Sequence, residues 1–189
     1  STSPSAPTPG AEGLVPSAGY TPVAKALHWT TAILVLGMLG VGLWMTGLPI
    51  SLLKLQVYGW HKWIGLSVLA LTLLRLAWRW QAPPPELPGT VTPWERRAAR
   101  TSHWFLLALL LAQPIDGWLM SSAGGVTVYW FGLLRLPDLV ARDQHLFAAL
   151  RTVHEAMAYA LMAMIALHLL AVVHHDILRR DGIFSRMWR

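Results

Sequence analysis

An all-α integral membrane protein, a bundle of four spanning helices with both termini cytoplasmic, is the fold this sequence predicts, and three observations carry it. Of 189 residues, 54% are hydrophobic and only 13% charged, more apolar side chain than a soluble domain of this length can hide. Four long apolar stretches are separated by helix starts and stops. At roughly 20 residues for each crossing of a hydrocarbon layer ~30 Å thick, four crossings nearly exhaust the chain. The basic residues, finally, divide ten to five between the two sides that four crossings create, and the richer side is cytoplasmic.

The elements follow in order. Residues 1–19 are mostly Ser, Pro, Gly, Ala and Thr, and read as a disordered tail or a vector-derived remnant outside a folded unit spanning 20–189. Thr21-Pro22 starts the first helix, proline being tolerated where a backbone N–H has no partner anyway. No charge occurs from Thr30 to Leu53, and Thr46-Gly47-Leu48-Pro49 ends the crossing. The second runs from about Val57 to Trp80, its uncharged centre lying between Lys62 and Arg75, both able to snorkel. Five prolines from Ala82 to Pro93 make a stiff connector. Thr92-Pro93-Trp94-Glu95 restarts a helix with a capping box, and the third crossing continues to about Met120. Residues 121–149 read as an outer loop on the membrane surface. The fourth crossing, about Leu150 to Asp176, contains eighteen uncharged residues from Ala156 to Val173. A fifth crossing over 117–134 is disfavoured by Ser121-Ser122-Ala123-Gly124-Gly125 and would spoil the charge asymmetry.

Composition excludes several chemistries. Cysteine is absent, so disulfides, thiolate metal sites, cysteine-bound iron–sulfur clusters and covalent C-x-x-C-H haem attachment are ruled out. The net charge of +6 flanks apolar runs instead of forming one basic stripe, which argues against nucleic acid as a partner and for membrane lipid.

Eight histidines in so apolar a chain demand an account, because ionisable groups at membrane depth are costly and mark function. By depth, His61 pairs with His154 near the outer side and His28 with His168 near the inner side. His154 and His168 are fourteen residues apart, about 21 Å along one helix and close to the same face. Each pair suits the two in-line axial positions of a haem iron, and Gly37, Gly40, Gly42 and Gly65 offer room for a macrocycle. His175, seven residues beyond His168, remains an alternative inner ligand by depth alone. Zinc or copper are weaker candidates, since no Asp, Glu or Cys converges on the pairs.

The segments Ala26-Leu27-His28-Trp29, Gly59-Trp60-His61-Lys62-Trp63-Ile64-Gly65, Gly117-Trp118-Leu119-Met120-Ser121-Ser122, His154-Glu155, Leu167-His168, His174-His175 and Arg180-Asp181-Gly182 resemble the bacterial cytochrome b561 family. The likeness runs from about Tyr20 to Met187. It implies a four-helix cytochrome of the bacterial inner membrane with two haem b groups, the outer on His61 and His154, the inner on His28 and His168, with His175 not a ligand. It further implies a superoxide oxidase, an enzyme taking electrons from superoxide at the periplasmic haem and passing them to ubiquinone near the cytoplasmic face. The alternative is an electron-transfer subunit that moves quinol electrons to a separate redox partner. A metal or proton transporter built on the same histidines is the non-redox reading.

On the oxidase reading, Lys54, Lys62, Arg135, Arg142 and Arg151 supply positive potential that steers a small anion, Lys62 standing beside His61. His175 is the proton donor for the quinone, with Arg75, Arg79 and His174 as secondary candidates. His103, placed near the start of helix three, and His145, placed in the outer loop, are not ligands, although His103 has a place in lining the quinone slot. Asp116 stands where an apolar or small residue is expected. It is either a partly hydrated carboxyl or a proton-handling or haem-contact group.

Overall fold

The computed structural model describes residues 19–188, so the expectation for the tail falls almost wholly outside the described residues. Four long helices dominate: α1 (Pro22–Thr46), α2 (Leu52–Gln81), α3 (Pro93–Ala123) and α4 (Gln144–Val173). Each begins on a side-chain cap. The Thr21 hydroxyl accepts from the Ala24 N–H at 3.3 Å, and Ser51 accepts from Lys54 at 3.2 Å. Thr92 and Glu95 form the reciprocal box, the Glu95 carboxylate accepting the Thr92 N–H at 2.8 Å. Asp143 accepts from His145 and Leu146 at 2.8 and 3.1 Å. These two bonds, the Leu146 one foremost, hold the Asp143 carboxyl below the ordinary carboxylate range.

Helix α4 thus starts six residues earlier than its apolar core suggests, and His145 sits in its first turn, not in a loop. Its far end widens into a π-helical turn, His174–Arg179, closed by Arg180 in the left-handed region (φ 51°). An Arg179–Glu95 ion pair ties that turn to the start of α3. A short helix, α5 (Ser185–Trp188), follows. The Tyr20 N–H donates to the Arg186 carbonyl at 3.1 Å and the Trp29 indole to the Met187 carbonyl at 3.1 Å, so both described ends of the chain meet at one end of the molecule. That end is called the terminal end below, and the other the loop end.

At the loop end, residues 124–143 are not featureless. A two-stranded hairpin, β1 (Tyr129–Trp130) with β2 (Leu134–Arg135), turns through Phe131 and Gly132, both at positive φ. The Trp130 indole donates to the Trp63 carbonyl at 3.2 Å, which pins the hairpin against α2.

Backbones approach most closely between sequence neighbours, α1 with α2, α2 with α3, and α3 with α4, while α1 and α4 have little close contact. One buried apolar layer crosses the middle, with Val35 from α1, Val68 from α2, Leu109 and Leu110 from α3, and Leu161 from α4. Two fully buried hydroxyls, Thr31 and Thr72, return to the carbonyls of Leu27 and Val68 at 2.7 Å and so leave no unpaired donor. Outside, Ile33, Leu36, Leu73, Leu74, Leu169 and Leu170 are more than half exposed. So much open aliphatic surface fits lipid, not water.

Three helical segments, Pro22–Thr46, Pro93–Ala123 and Gln144–Arg179, are long and apolar enough to cross a membrane. Helix α2 is long enough at 30 residues but carries Lys54, Lys62, Arg75 and Arg79, which shorten its uncharged centre. The chain is a helical multi-pass protein. Its middle layer gives a direct test of packing: Leu161→Ala, which empties a 3% exposed position, is expected to lower unfolding stability in mild detergent by about 2 kcal/mol or more without loss of helical circular dichroism.

Candidate functional site

The apolar layer organises everything polar around it. Seven residues are two helical turns, about 10 Å, and return to nearly the same face. Counting seven in each direction from the layer gives His28–Val35–Gly42 on α1 and His61–Val68–Arg75 on α2. On α3 it gives His103–Leu110–Gly117, and on α4 His154–Leu161–His168. With successive helices antiparallel, these triplets stack into three levels. The loop level holds Gly42, His61, Gly117 and His154. The terminal level holds His28, Arg75, His103 and His168.

At the loop level the rings of His61 and His154 face one another across the bundle, with centroids 6.4 Å apart and planes at 66°. The two glycines make this approach feasible. A Cβ on Gly42 would lie 3.3 Å from Cε1 of His61, and one on Gly117 would lie 3.1 Å from Cε1 of His154. Side chains there would crowd the rings. His154 is held from α3: its Nδ1 lies 3.1 Å from Oδ2 of Asp116, and its carbonyl accepts from Gln113 Nε2 at 3.0 Å. Asp116 is only 7% exposed, so the partly hydrated carboxyl of the sequence reading is replaced by a buried one paired with imidazole. Pro114, inside α3, lacks an N–H for the Leu110 carbonyl, which loosens the helix beside this site.

At the terminal level the ring contact of His168 is with His103, at 5.5 Å and 63°, while His28 packs edge-on against Trp29 at 5.3 Å. Arg75 lies close enough to act electrostatically on both His28 and His168. His103 is therefore ten residues inside α3, at the level of His28 and His168, and not near the helix start. Arg79 stacks over Trp104 at 5.0 Å.

His175 stands apart, in the π-helical turn. Its Nδ1 is 2.6 Å from Oδ2 of Asp181, both side chains being largely buried, and its ring meets His174 edge-on at 5.5 Å. An apolar groove of about 380 Å³, lined by Trp94, Arg97, Thr101, Ser102, Phe105 and Met164 among others, opens beside α3 near this end. None of Arg75, Arg79, His103, His174 or His175 lines it. Of the loop-end cations, Lys62 is half-buried beside His61, whereas Lys54 donates to the Leu48 carbonyl at 2.7 Å and serves the end of α1.

The donor set fits iron porphyrin better than a bare metal ion. Two imidazoles holding one iron from opposite sides keep their ring centres roughly 6 Å apart, given metal–nitrogen bonds of about 2 Å. The His61–His154 separation matches. Nδ1 of His28 and of His61 is buried without a hydrogen-bond partner, the mark of rings placed for something other than internal bonding. No cluster of three or more His, Cys, Asp or Glu suited to a metal ion occurs among the described residues. Sequence reasoning missed Gly117 as the source of room and His103 as a member of the terminal level. The seven-residue register with the other helices was the signal for both. Gly37 and Gly40 have nothing within 4 Å of a would-be Cβ, and Gly65 only the end of Met38, so of the four glycines chosen from sequence Gly42 alone touches a histidine.

The fold and site define a helical multi-pass membrane protein with imidazoles at two depths. The profile described as prokaryotic cytochrome b561 matches residues 19–189, and the chain belongs to that family. It is 31% identical over 176 residues to cytochrome b561 homolog 2 of Escherichia coli (strain K12), covering 89% of this chain and 90% of that one. Over 175 residues it is 26% identical to cytochrome b561 homolog 1 of the same organism, 85% and 92% covered. Over 132 residues it is 27% identical to the probable superoxide oxidase CybB of Yersinia pestis, 68% and 74% covered. The protein is thus a haem b-binding, electron-transferring member of a redox family in the bacterial inner membrane.

The glycines separate packing from helix propensity. Gly40→Ala, in open space, should stabilise the protein by roughly 0.5–1 kcal/mol. Gly117→Ala meets a ring that Asp116 prevents from yielding and should destabilise it, overpacking costing about 1–3 kcal/mol. Thermal unfolding in detergent reads both signs.

Proposed function

We propose that this chain is a two-haem superoxide:ubiquinone oxidoreductase whose four helices all span the membrane, with both termini cytoplasmic and the loop end periplasmic. The stacking of imidazoles at two levels on either side of an apolar layer carries the reading. The ten-to-five division of basic residues supports the orientation, and the likeness to the probable superoxide oxidase of Yersinia pestis supports the activity.

His61 and His154 would hold one haem and His28 and His168 the other. Haem b, when bound, supplies a one-electron carrier at each level. Held by these four imidazoles, the two groups would supply electron transfer without a place to bind oxygen, so substrates would meet the bundle's edges. Two superoxide ions each give up one electron and leave as dioxygen. One ubiquinone takes both electrons and two protons to become ubiquinol.

The residues divide this work. Lys62, Arg135, Arg142 and Arg151 attract the anion at the loop end, Lys62 from beside His61. At the terminal end His175, oriented by Asp181, donates a proton to the reduced quinone, and Arg75 and Arg79 set positive potential near the inner haem and the quinone. The outward aliphatic surface meets lipid.

Purified protein is expected to show a b-type spectrum with about two haems per chain, and His61→Ala or His154→Ala should remove one centre in preference to the other. Superoxide pulses should reduce the haems and, with ubiquinone added, yield ubiquinol, more slowly at high salt or in Lys62→Gln. A spectrum that pulses leave unchanged while quinol reduces it would replace the oxidase by an electron-transfer subunit serving a separate partner.

A further inference from the structure

We infer that Asp116 is a positioning residue that acts through His154 to make the loop-end haem the lower in potential of the two, which sets the direction of electron flow from the loop end to the terminal end. The inference rests on the haem reading of the site and adds an asymmetry to it.

Helix α3 grips His154 at three points within five residues. Gln113 Nε2 donates to the His154 carbonyl at 3.0 Å and fixes its backbone. Asp116 Oδ2 takes the ring Nδ1 at 3.1 Å. Gly117 lets the ring edge come so close that a Cβ would stand 3.1 Å from Cε1 and 3.6 Å from Nδ1. Gripped in this way, the imidazole has one orientation. A carboxylate accepting the Nδ1 proton fixes the tautomer as well, leaving the Nε2 lone pair for a metal.

His61 and His28 lack this help. Nδ1 of His61, the partner at the same level, is buried with no hydrogen-bond partner, and so is Nδ1 of His28 at the terminal level. The terminal level moreover carries Arg75, seven residues beyond Val68 on α2 and so in register with His28 and His168. Both differences point the same way. An imidazole whose far nitrogen donates to a carboxylate is a more basic ligand and favours the ferric state. A nearby guanidinium disfavours the added positive charge of the ferric state and favours the ferrous one. An electron received at the loop end then moves to the terminal end downhill, one centre being oxidised as the other is reduced.

Spectroelectrochemical titration of the haem-loaded protein tests this, with His61→Ala assigning the loop-end centre. Wild type should titrate as two separated centres, and the one that survives in His61→Ala should be the higher. Asp116→Asn keeps an acceptor but not the charge. It should retain its haem and shift the reduction equilibrium of the loop-end centre at least tenfold toward the ferrous form, about 59 mV for one electron, leaving the other centre unmoved. Asp116→Glu should restore part of that shift.

If the centre surviving in His61→Ala is the lower one, or Asp116→Asn leaves both potentials in place with full haem, the inference is overturned while the haem reading stands. If wild type takes up no haem, the reading beneath it fails first. Should Asp116→Asn not assemble, the wild-type and His61→Ala titrations still test the order of the potentials, and a lower surviving centre still overturns the inference.

Discussion

Putting imidazole rings inside a bundle whose outer wall is aliphatic is the constraint on which the rest of this structure depends. Each ring costs desolvation and must recover it from a partner, a metal or a neighbouring helix. A helix can present such rings to one interior only at spacings that return to the same face. The seven-residue steps on all four helices meet that requirement together. The apolar layer at Val35, Val68, Leu110 and Leu161 and the polar levels above and below it are consequences of a single register.

Within that register the two levels are built differently. At the loop level α1 and α3 contribute glycine, so that α2 and α4 can bring His61 and His154 together, with the Asp116 carboxyl on His154 and Lys62 beside His61. At the terminal level α2 contributes Arg75 and α3 contributes His103 in the corresponding places. One level is narrow and acid-supported, the other crowded and basic. Helix α3 brings no imidazole to the loop level, yet it holds His154 through Gln113, Asp116 and Gly117.

What was legible in the sequence was what local chemistry dictates. Thr21-Pro22 and the Thr92–Glu95 box stop and start helices through bonds spanning three residues, and the structure forms both. The depths of His61 and His154 followed from helix rise alone. The start of α4 was misplaced because hydropathy marks the buried stretch of a helix and is silent about a polar first turn capped by Asp143. The hairpin at Tyr129–Arg135 was missed because two-residue strands bury too little to leave a pattern. His103 and Gly117 needed the register of four helices at once, which one helix read alone does not supply. Asp116 stood out as an acid in an apolar run, but its partner lies 38 positions away on another helix, beyond the reach of local reasoning.

The oily septum between the two histidine levels has an effect of its own. Val35, Val68, Leu109, Leu110 and Leu161 are each less than a tenth exposed, and their side chains offer water no hydrogen bond from which to build a file. Protons need such a file to hop along, and ions need a hydration shell, whereas an electron needs neither. A layer sealed in this way offers protons and ions no hydrated path between the two histidine levels.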